Sequence, residues 1–335
     1  MKKSLLALAA LTAFAGAASA QSSVTLFGIV DLSVNSVKNG STTMKTMASD
    51  NLNSNRLGFR GTEDLGGGMR AGFHIEGGMS PDNGTAAGQT WTRRSTVSLM
   101  GGFGEIRLGR DYTPSFFNKT VFDPFGTNGM GSELNVETTL GSGATTLVRA
   151  NNSVGYFLPA MGGLYGQVMV AAGEGVTGNK YMGARLGYAA GPVNVAGALG
   201  KTYKTGAMIA DFKDINFGGS FNMGFMTLMG QYGKRDYGSA NQKTMLIAGT
   251  MPMGPGTLKA SYVKASGSSL AYEATMFAFG YQYDLSKRTA LYATYSSINN
   301  DGTALNGASF VVNAAGAMTR GATSSGYNAG IRHSF

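Results

Sequence analysis

The chain has 335 residues, a net charge of +9, no cysteine, and 13% charged side chains against 43% hydrophobic ones and 52 glycines. Few charges with many aromatics exclude a disordered chain, which needs the reverse balance, and the lack of cysteine excludes any fold held by disulfides. A basic balance suits anionic solutes or membrane surfaces, but no block of clustered Lys and Arg marks a nucleic-acid surface, so no nucleic-acid partner is expected.

The first residues read as an export signal rather than as part of the fold. Lys2 and Lys3 precede an apolar stretch, Leu5 to Ala15, too short to span a bilayer, and Ala18-Ser19-Ala20 forms a small-residue cleavage site. Two parts are expected: a cleaved signal peptide, 1–20, and one domain, 21–335. Loss of Lys2 and Lys3 lowers the net charge to +7. The mature part offers no run long and apolar enough for a membrane helix, and its mean hydropathy is near zero, as alternating lipid-facing and water-facing residues would give.

From Val24 onward the pattern is a period of two in short segments. Val24, Leu26, Val30, Leu32 and Val34 share a face opposite Thr25, Asp31 and Ser33. Phe217 and Phe221 oppose Asn216, Ser220 and Asn222. Phe277, Phe279, Tyr281 and Tyr283 oppose Met276, Ala278 and Gln282, and Leu291, Ala293 and Tyr295 oppose Tyr292, Thr294 and Ser296. About sixteen segments start near residues 24, 55, 69, 91, 105, 152, 164, 181, 192, 215, 225, 243, 257, 275, 289 and 325. An even number of strands of roughly 9–11 residues is the signature of a bacterial transmembrane barrel.

Connections alternate in length. The short ones are Glu63 to Gly68, Gly101 to Gly104, Ala160 to Gly163, Gly191-Pro192, Met223-Gly224, Pro252 to Gly256 and Asp284 to Arg288. The long ones include Lys38 to Ser54, Met79 to Thr90, Lys201 to Lys213 and Asn299 to Ser324. Asn39-Gly40 and Asn83-Gly84 read as turns within them, and Gly66-Gly67-Gly68 as a turn rather than a phosphate loop. A soluble sandwich would need apolar faces on two sheets. The fold class expected is all-β: a 16-stranded antiparallel transmembrane β-barrel. At the end, Tyr327, Ala329, Ile331, His333 and Phe335 share one face, with aromatics at its two ends as paired girdles require.

Several strings together resemble the general diffusion porins of beta-proteobacteria, the Neisseria, Bordetella and Comamonas type. They are Ser23 to Asp31 (SVTLFGIVD), Asn55 to Gly66 (NRLGFRGTEDLG), Phe103 to Arg110 (FGEIRLGR), Asn152 to Tyr156 (NSVGY), Leu285 to Thr289 (LSKRT) and Ile331 to Phe335 (IRHSF). The resemblance covers essentially the whole mature chain. It implies a homotrimer in the outer membrane of a Gram-negative bacterium, each barrel with its own water-filled pore for small hydrophilic solutes and ions. It implies lipid and lipopolysaccharide around the barrel, and a final strand, with Tyr327 and Phe335, read by the barrel-assembly machinery. It also implies that the loop after the fifth strand folds inward as a constriction.

That loop is the gap of about forty residues between Arg110 and Asn151. Its aromatics (Tyr112, Phe116, Phe117, Phe122, Phe125) argue for packing rather than disorder. Asp123-Pro124-Phe125-Gly126 resembles the loop tip, where Asp123 would face basic residues, with Lys119 close by and Glu133 and Glu137 on the outer part. Across the pore, Arg56 and Arg60 alternate with Leu57 and Phe59 and so face the lumen. Arg149 matches a porin wall arginine. Arg93 matches another, although alternation with Val97 and Leu99 selects Arg94, so both remain candidates. Guanidinium stays charged at any working pH, and rings of Arg favour anions.

The expected function is passive diffusion with anion preference. The alternative is a channel specific for phosphate or dicarboxylates, which needs a basic ladder to which Lys180, Arg185, Lys259 and Lys287 could contribute. Tyr165 and Tyr292 are too scattered for a sugar track. An enzyme would need a nucleophile–base set. The only mature histidines, His74 and His333, lie in no such arrangement, and His74 with Glu76 is too small a ligand set for a metal. His74 and Glu76 read as lumen-wall polar groups, His333 as an interface residue. No cofactor is expected.

Overall fold

The computed structural model describes residues 23–85, 90–268, 272–301, 310–312 and 321–335. The expected signal peptide, and parts of the connections Met79 to Thr90 and Asn299 to Ser324, lie outside the described residues.

Among these, seventeen strand segments occur: β1 Ser23–Asn39, β2 Thr42–Ser49, β3 Arg56–Gly66, β4 Met69–Gly78, β5 Arg94–Gly101, β6 Gly104–Tyr112, β7 Arg149–Phe157, β8 Leu164–Ala171 and β9 Tyr181–Ala190. They continue as β10 Val193–Thr202, β11 Phe212–Asn222, β12 Thr227–Tyr237, β13 Ala240–Met253, β14 Gly256–Gly267, β15 Tyr272–Asp284, β16 Thr289–Asp301 and β17 Ser324–Ser334. Every pairing is antiparallel. β1 pairs with β3 near its start and with β2 near its end, so β2 and β3 are two halves of one stave. β17 pairs with β1 and closes the ring. The result is a closed barrel of sixteen staves, with starts within about three residues of those read from the period of two.

Closure leaves no sheet edge, and the alternation sorts the two faces. Val24, Leu26 and Val34 are exposed on the outside while Asp31, Ser33 and Asn35 are buried inside. On β15, Phe277, Phe279 and Tyr283 face out, and Met276 and Ala278 are fully buried. Tyr327, Ile331 and Phe335 stand on the outer face of β17. His333 shares that face, and its Nδ1 lies 2.9 Å from Thr289 Oγ1 on β16.

The seven short turns fall at one barrel end. Two expectations change at the other. Lys38 to Ser54 is not one long loop, because β1 runs on to Asn39 and turns at Gly40-Ser41 into β2. The break between β2 and β3 is held from inside the barrel, where the Asp31 carboxylate accepts from the backbone N–H of Leu52 and Asn53 at 2.7 and 2.6 Å. Tyr237 and Ala240 are joined by a two-residue turn, so not every connection at this end is long.

Candidate functional site

The segment between β6 and β7 starts with a helix, α1 (Pro114–Phe122), and includes one short 3-10 turn at Glu133–Val136. Proline at the first helical turn suits a helix start, since its missing N–H has no partner there anyway. α1 docks on the inner wall. Asn118 Nδ2 donates to Asn216 Oδ1 at 2.8 Å, Arg185 Nε donates to Asn118 Oδ1 at 2.8 Å, and Asn216 Nδ2 donates to the Ser115 carbonyl at 3.0 Å. The wall makes room: a Cβ on Gly218 of β11 would sit 2.2 Å from the Phe122 ring.

Farther along, the segment is tied to β12 and β13. Gln231 Nε2 donates to both Glu133 oxygens at 3.0 Å. Gln242 brackets the backbone, donating to the Val136 carbonyl and accepting from Thr138 N–H, each at 2.9 Å. Met130 and Val136 pack into an apolar cluster with Leu246, Val263, Met276 and Ile298, the inward residues of β13 to β16. The tip then reaches the break between β2 and β3. Ser54 Oγ donates to Asn128 Oδ1 at 2.6 Å. Gly129, at φ +63°, lies so close to the Asn51 carbonyl that a Cβ would be 2.1 Å from its oxygen. One side of the interior is therefore filled.

The acidic and basic groups of this segment are consumed in holding it. Asp123 is 4% exposed and accepts from the N–H of Phe125, Thr127 and Glu133 at 2.9, 3.0 and 3.3 Å. It staples its own loop, so the expectation that it faces arginines across an open path is corrected. Lys119, 1% exposed, pairs with Glu137 and lies 4.0 Å from Asp214, so it too is withdrawn from the path. Arg235 completes the network, 2.5 Å from Glu137 and 3.4 Å from Asp214. Glu133 and Glu137 accordingly sit against the inner wall, not on an outer part. Burial pushes Asp123 up to about 6 against its three N–H donors. Burial, with Glu137 beside it, pushes Glu133 well above the usual carboxylate range despite Lys119 and Arg235.

The unfilled side is walled by β3 to β7. Arg56 (3.6 Å) and Arg93 (2.5 Å) share the Glu76 carboxylate, which also meets His74 at 3.3 Å. Arg93 Nη2 and Arg149 Nη2 both donate to the Tyr112 hydroxyl, at 3.3 and 2.8 Å, and the Arg149 guanidinium lies 4.3 Å from the Tyr112 ring centre. Arg94 pairs with Asp111 at 3.3 Å, and Arg107 pairs with Asp111 at 2.6 Å and with Glu105 at 2.8 Å. Both Arg93 and Arg94 turn inward: Arg94 opens β5, while Arg93 lies just before it and escapes the strict alternation. Arg60 lies over Phe27 at 5.2 Å, in a recess of about 290 Å³ shared with His74, Arg94 and Arg107. Arg110 lies off this wall: it pairs in register with Ser95 on the outward phase, and its Nη1 donates to Asn151 Oδ1 at 2.5 Å.

Six arginines here (56, 60, 93, 94, 107 and 149) meet four carboxylates, Asp50, Glu76, Glu105 and Asp111. The structure thus brings together Arg56, Arg93, Arg94 and Arg149, with Arg60 nearby, and adds Arg107 and Tyr112. Glutamate at 105 and aspartate at 111, at even spacing around Arg107, were the available signal for that arginine. Of the ladder candidates, Arg185 faces in, stacked between Phe117 and Tyr165 at 4.9 and 4.6 Å, and Lys259 faces in near Asp123. Lys180 is exposed beside Tyr203 and Lys287 in a turn, both away from the interior. Tyr292 is buried and donates to Asp31.

A family model described as Gram-negative porin matches residues 7–303. The chain is 37% identical to the outer membrane porin protein 32 of Delftia acidovorans, over the full length of both. It is 38% identical to the major outer membrane protein P.IB of Neisseria meningitidis, over about a third of each. Among solved structures, an anion-selective porin from Comamonas acidovorans aligns with a TM-score of 0.86 and 33% identity, covering 94% of this chain and all of that one.

Proposed function

Because this chain belongs to the Gram-negative porin family and so forms an outer-membrane diffusion channel, we propose that solutes pass through the gap between the arginine wall and the segment 113–148, with anions favoured over cations. The observation that carries this is the imbalance of six arginines over four carboxylates on the open side, while Asp123, Glu133 and Glu137 are buried in contacts of their own. A lumen wall of one sign concentrates the opposite ion. The anion selectivity named for the Comamonas acidovorans relative supports it.

In this reading segment 113–148 is the constriction, and it narrows the path by filling space rather than by presenting charge. Arg56, Arg93, Arg94 and Arg149 set the field at the narrow part, with Arg60 below. The protein catalyses nothing; solutes follow their gradients. It works as a homotrimer, with Tyr327 and Phe335 of the last strand serving assembly. The substrate-specific alternative fares less well, because Lys180 and Lys287 lie off the lumen and leave the basic ladder short.

The test is a planar-bilayer recording of the refolded channel in a KCl gradient. Chloride preference is expected, and Arg149→Ala should reduce it. One charge within about 4 Å of a passing ion contributes about 1 kcal/mol in water, roughly fivefold in permeability ratio. Arg56→Ala should act in the same direction. Cation preference in the unaltered protein would overturn the reading.

A further inference from the structure

The arginine wall opens into a second recess, of about 370 Å³, with a chemistry that the passage of chloride does not use. It lies between α1 and the inward residues of β5 to β9, and is lined by Arg94, Arg107, Phe117, Phe157, Tyr165 and Arg185. The strand register brings these together. Arg107 stands opposite Gly155, Phe157 opposite Gln167, and Gln167 opposite Arg185, so all lie on the inner phase. Tyr165 stands opposite Gly187, where a Cβ would come within 2.3 Å of the phenol ring. Glycine there lets the ring lie over the wall, and the hydroxyl fixes it by donating to Asn194 Oδ1 at 2.5 Å.

Two features set this recess apart from a plain ion path. The first is Arg185, which pairs with no carboxylate among the described residues. Its Nε donates to Asn118 Oδ1 at 2.8 Å and its Nη2 to the Tyr165 hydroxyl at 3.4 Å, and both acceptors are neutral. Arg94 and Arg107, by contrast, share Asp111. A guanidinium with neutral acceptors can still take a carboxylate in a charge-assisted pair. The second is Phe117. It is 38% exposed and opens onto the recess, whereas Phe116 and Phe122 of the same helix are buried. A ring left in a water-filled path adds little to docking of the helix, and an exposed apolar group in a concave site points to a ligand. Rings and cations alternate along the lining: Arg185 lies 4.9 Å from the Phe117 centre and 4.6 Å from that of Tyr165, and Arg107 lies 4.0 Å from that of Phe157.

We propose that this recess is a subsite for aromatic carboxylates of a single ring, held there on their way through the channel; the proposal rests on the reading of this lumen as the solute path. The carboxylate pairs with Arg185, whose charge nothing else answers. The ring fills the space beside Phe117, Phe157 and Tyr165, where guanidinium planes and aromatic rings both offer it a stacking surface. The volume is at the small end of ligand pockets, which suits one ring. A simple anion or an aliphatic dicarboxylate would leave the rings unused, and an uncharged ring would leave Arg185 unanswered.

The test adds benzoate, benzamide or succinate, in constant KCl, to the refolded channel in a planar bilayer and reads the concentration that halves the current. Benzoate should do so at a concentration about fivefold or more below either of the others, because benzamide lacks the charge and succinate the ring. Phe117→Leu keeps the charges and should raise the benzoate value about fivefold, the weight of one aromatic contact, without moving the succinate value. Arg185→Gln should raise the benzoate value on the order of tenfold. Arg185 also holds Asn118 of α1, so Phe117→Leu decides the matter if the helix shifts in that variant. The reversal potential in a KCl gradient, recorded on the same channels, separates the two readings. Cation preference with benzoate block intact would overturn the selectivity and keep the subsite. Chloride preference with benzoate no better than benzamide or succinate would overturn the subsite alone, as would a benzoate value unchanged in either variant.

Discussion

The two sides of the lumen solve opposite problems with the same alternating strands. On β13 to β16 the inward residues are apolar, with Leu246, Val263, Met276 and Ile298 nearly inaccessible, and the segment 113–148 packs on them through Met130 and Val136. On β3 to β7 the inward residues include arginines with too few carboxylates, and they line open recesses. The dry side works as a mould that sets where the segment lies, and the charged side is what a solute meets. Charges occur on both, but on the filled side they are matched and buried: Lys119 and Arg235 against Glu137 and Asp214. Matching holds a segment in place; mismatch creates a field.

The most direct way to break this division is to unmatch the filled side. Arg235→Ala leaves Glu137 and Asp214 buried with Lys119 alone. Removing one partner of a buried ion pair costs about 3–5 kcal/mol. The segment should detach from β11 and β12, seen as new protease cleavage within 113–148 and a larger, noisier single-channel conductance. Unchanged conductance with unchanged protease resistance would mean that apolar packing alone holds it. A smaller disturbance is steric. Gly218→Val places side-chain atoms where the Phe122 ring lies. Overpacking of this kind costs about 1–3 kcal/mol. α1 should shift without full release, raising conductance less than Arg235→Ala does and leaving chloride preference in place.

The same contrast explains what the sequence made legible. Strand positions came through because the middle of the outer face is apolar, so a period of two is visible along the strands. The long segment announced itself through its length and its aromatics, and Phe116, Phe122 and Phe125 are indeed buried. The arginines at 56 and 60 followed from alternation. Arg93 did not, because it precedes β5 and obeys no pleat. The roles of Asp123 and Lys119 were not legible either. Lys119 is fixed by Glu137 and by Asp214 on a wall strand far along the chain, and a local window cannot tell a paired, buried charge from one facing water. The dry wall did leave a trace. Met276-Phe277-Ala278-Phe279 and Leu246-Ile247-Ala248 are apolar in both phases, the mark of a strand buried on both faces. Those runs were the available sign that something lies against β13 and β15 from inside.

The smallest expected effect concerns a group the matched network leaves over. Lys119 and Arg235 balance Glu137 and Asp214, so Glu133 is a third carboxylate without a counter-cation, and burial raises its affinity for a proton. Gln231 donates to it, while Gln231 Oε1 is buried with no donor of its own. A protonated Glu133 supplies that donor once the amide turns over. The sign follows from linkage. An acid whose folded affinity for the proton exceeds its unfolded one favours the folded form most when protonated in both states. That contribution is lost as pH rises through the folded value. Asp123, raised to about 6, acts in the same direction. Docking of the segment should therefore tighten as pH falls from about 7 towards 4, against the usual trend of acid loosening. Glu133→Gln carries the neutral group at every pH. It should show at pH 7 the protection that the unaltered protein gains in acid, and a flatter pH slope. Hydrogen exchange of residues 129–138 measured across this range checks it; a slope unchanged by Glu133→Gln would place the titrating group elsewhere.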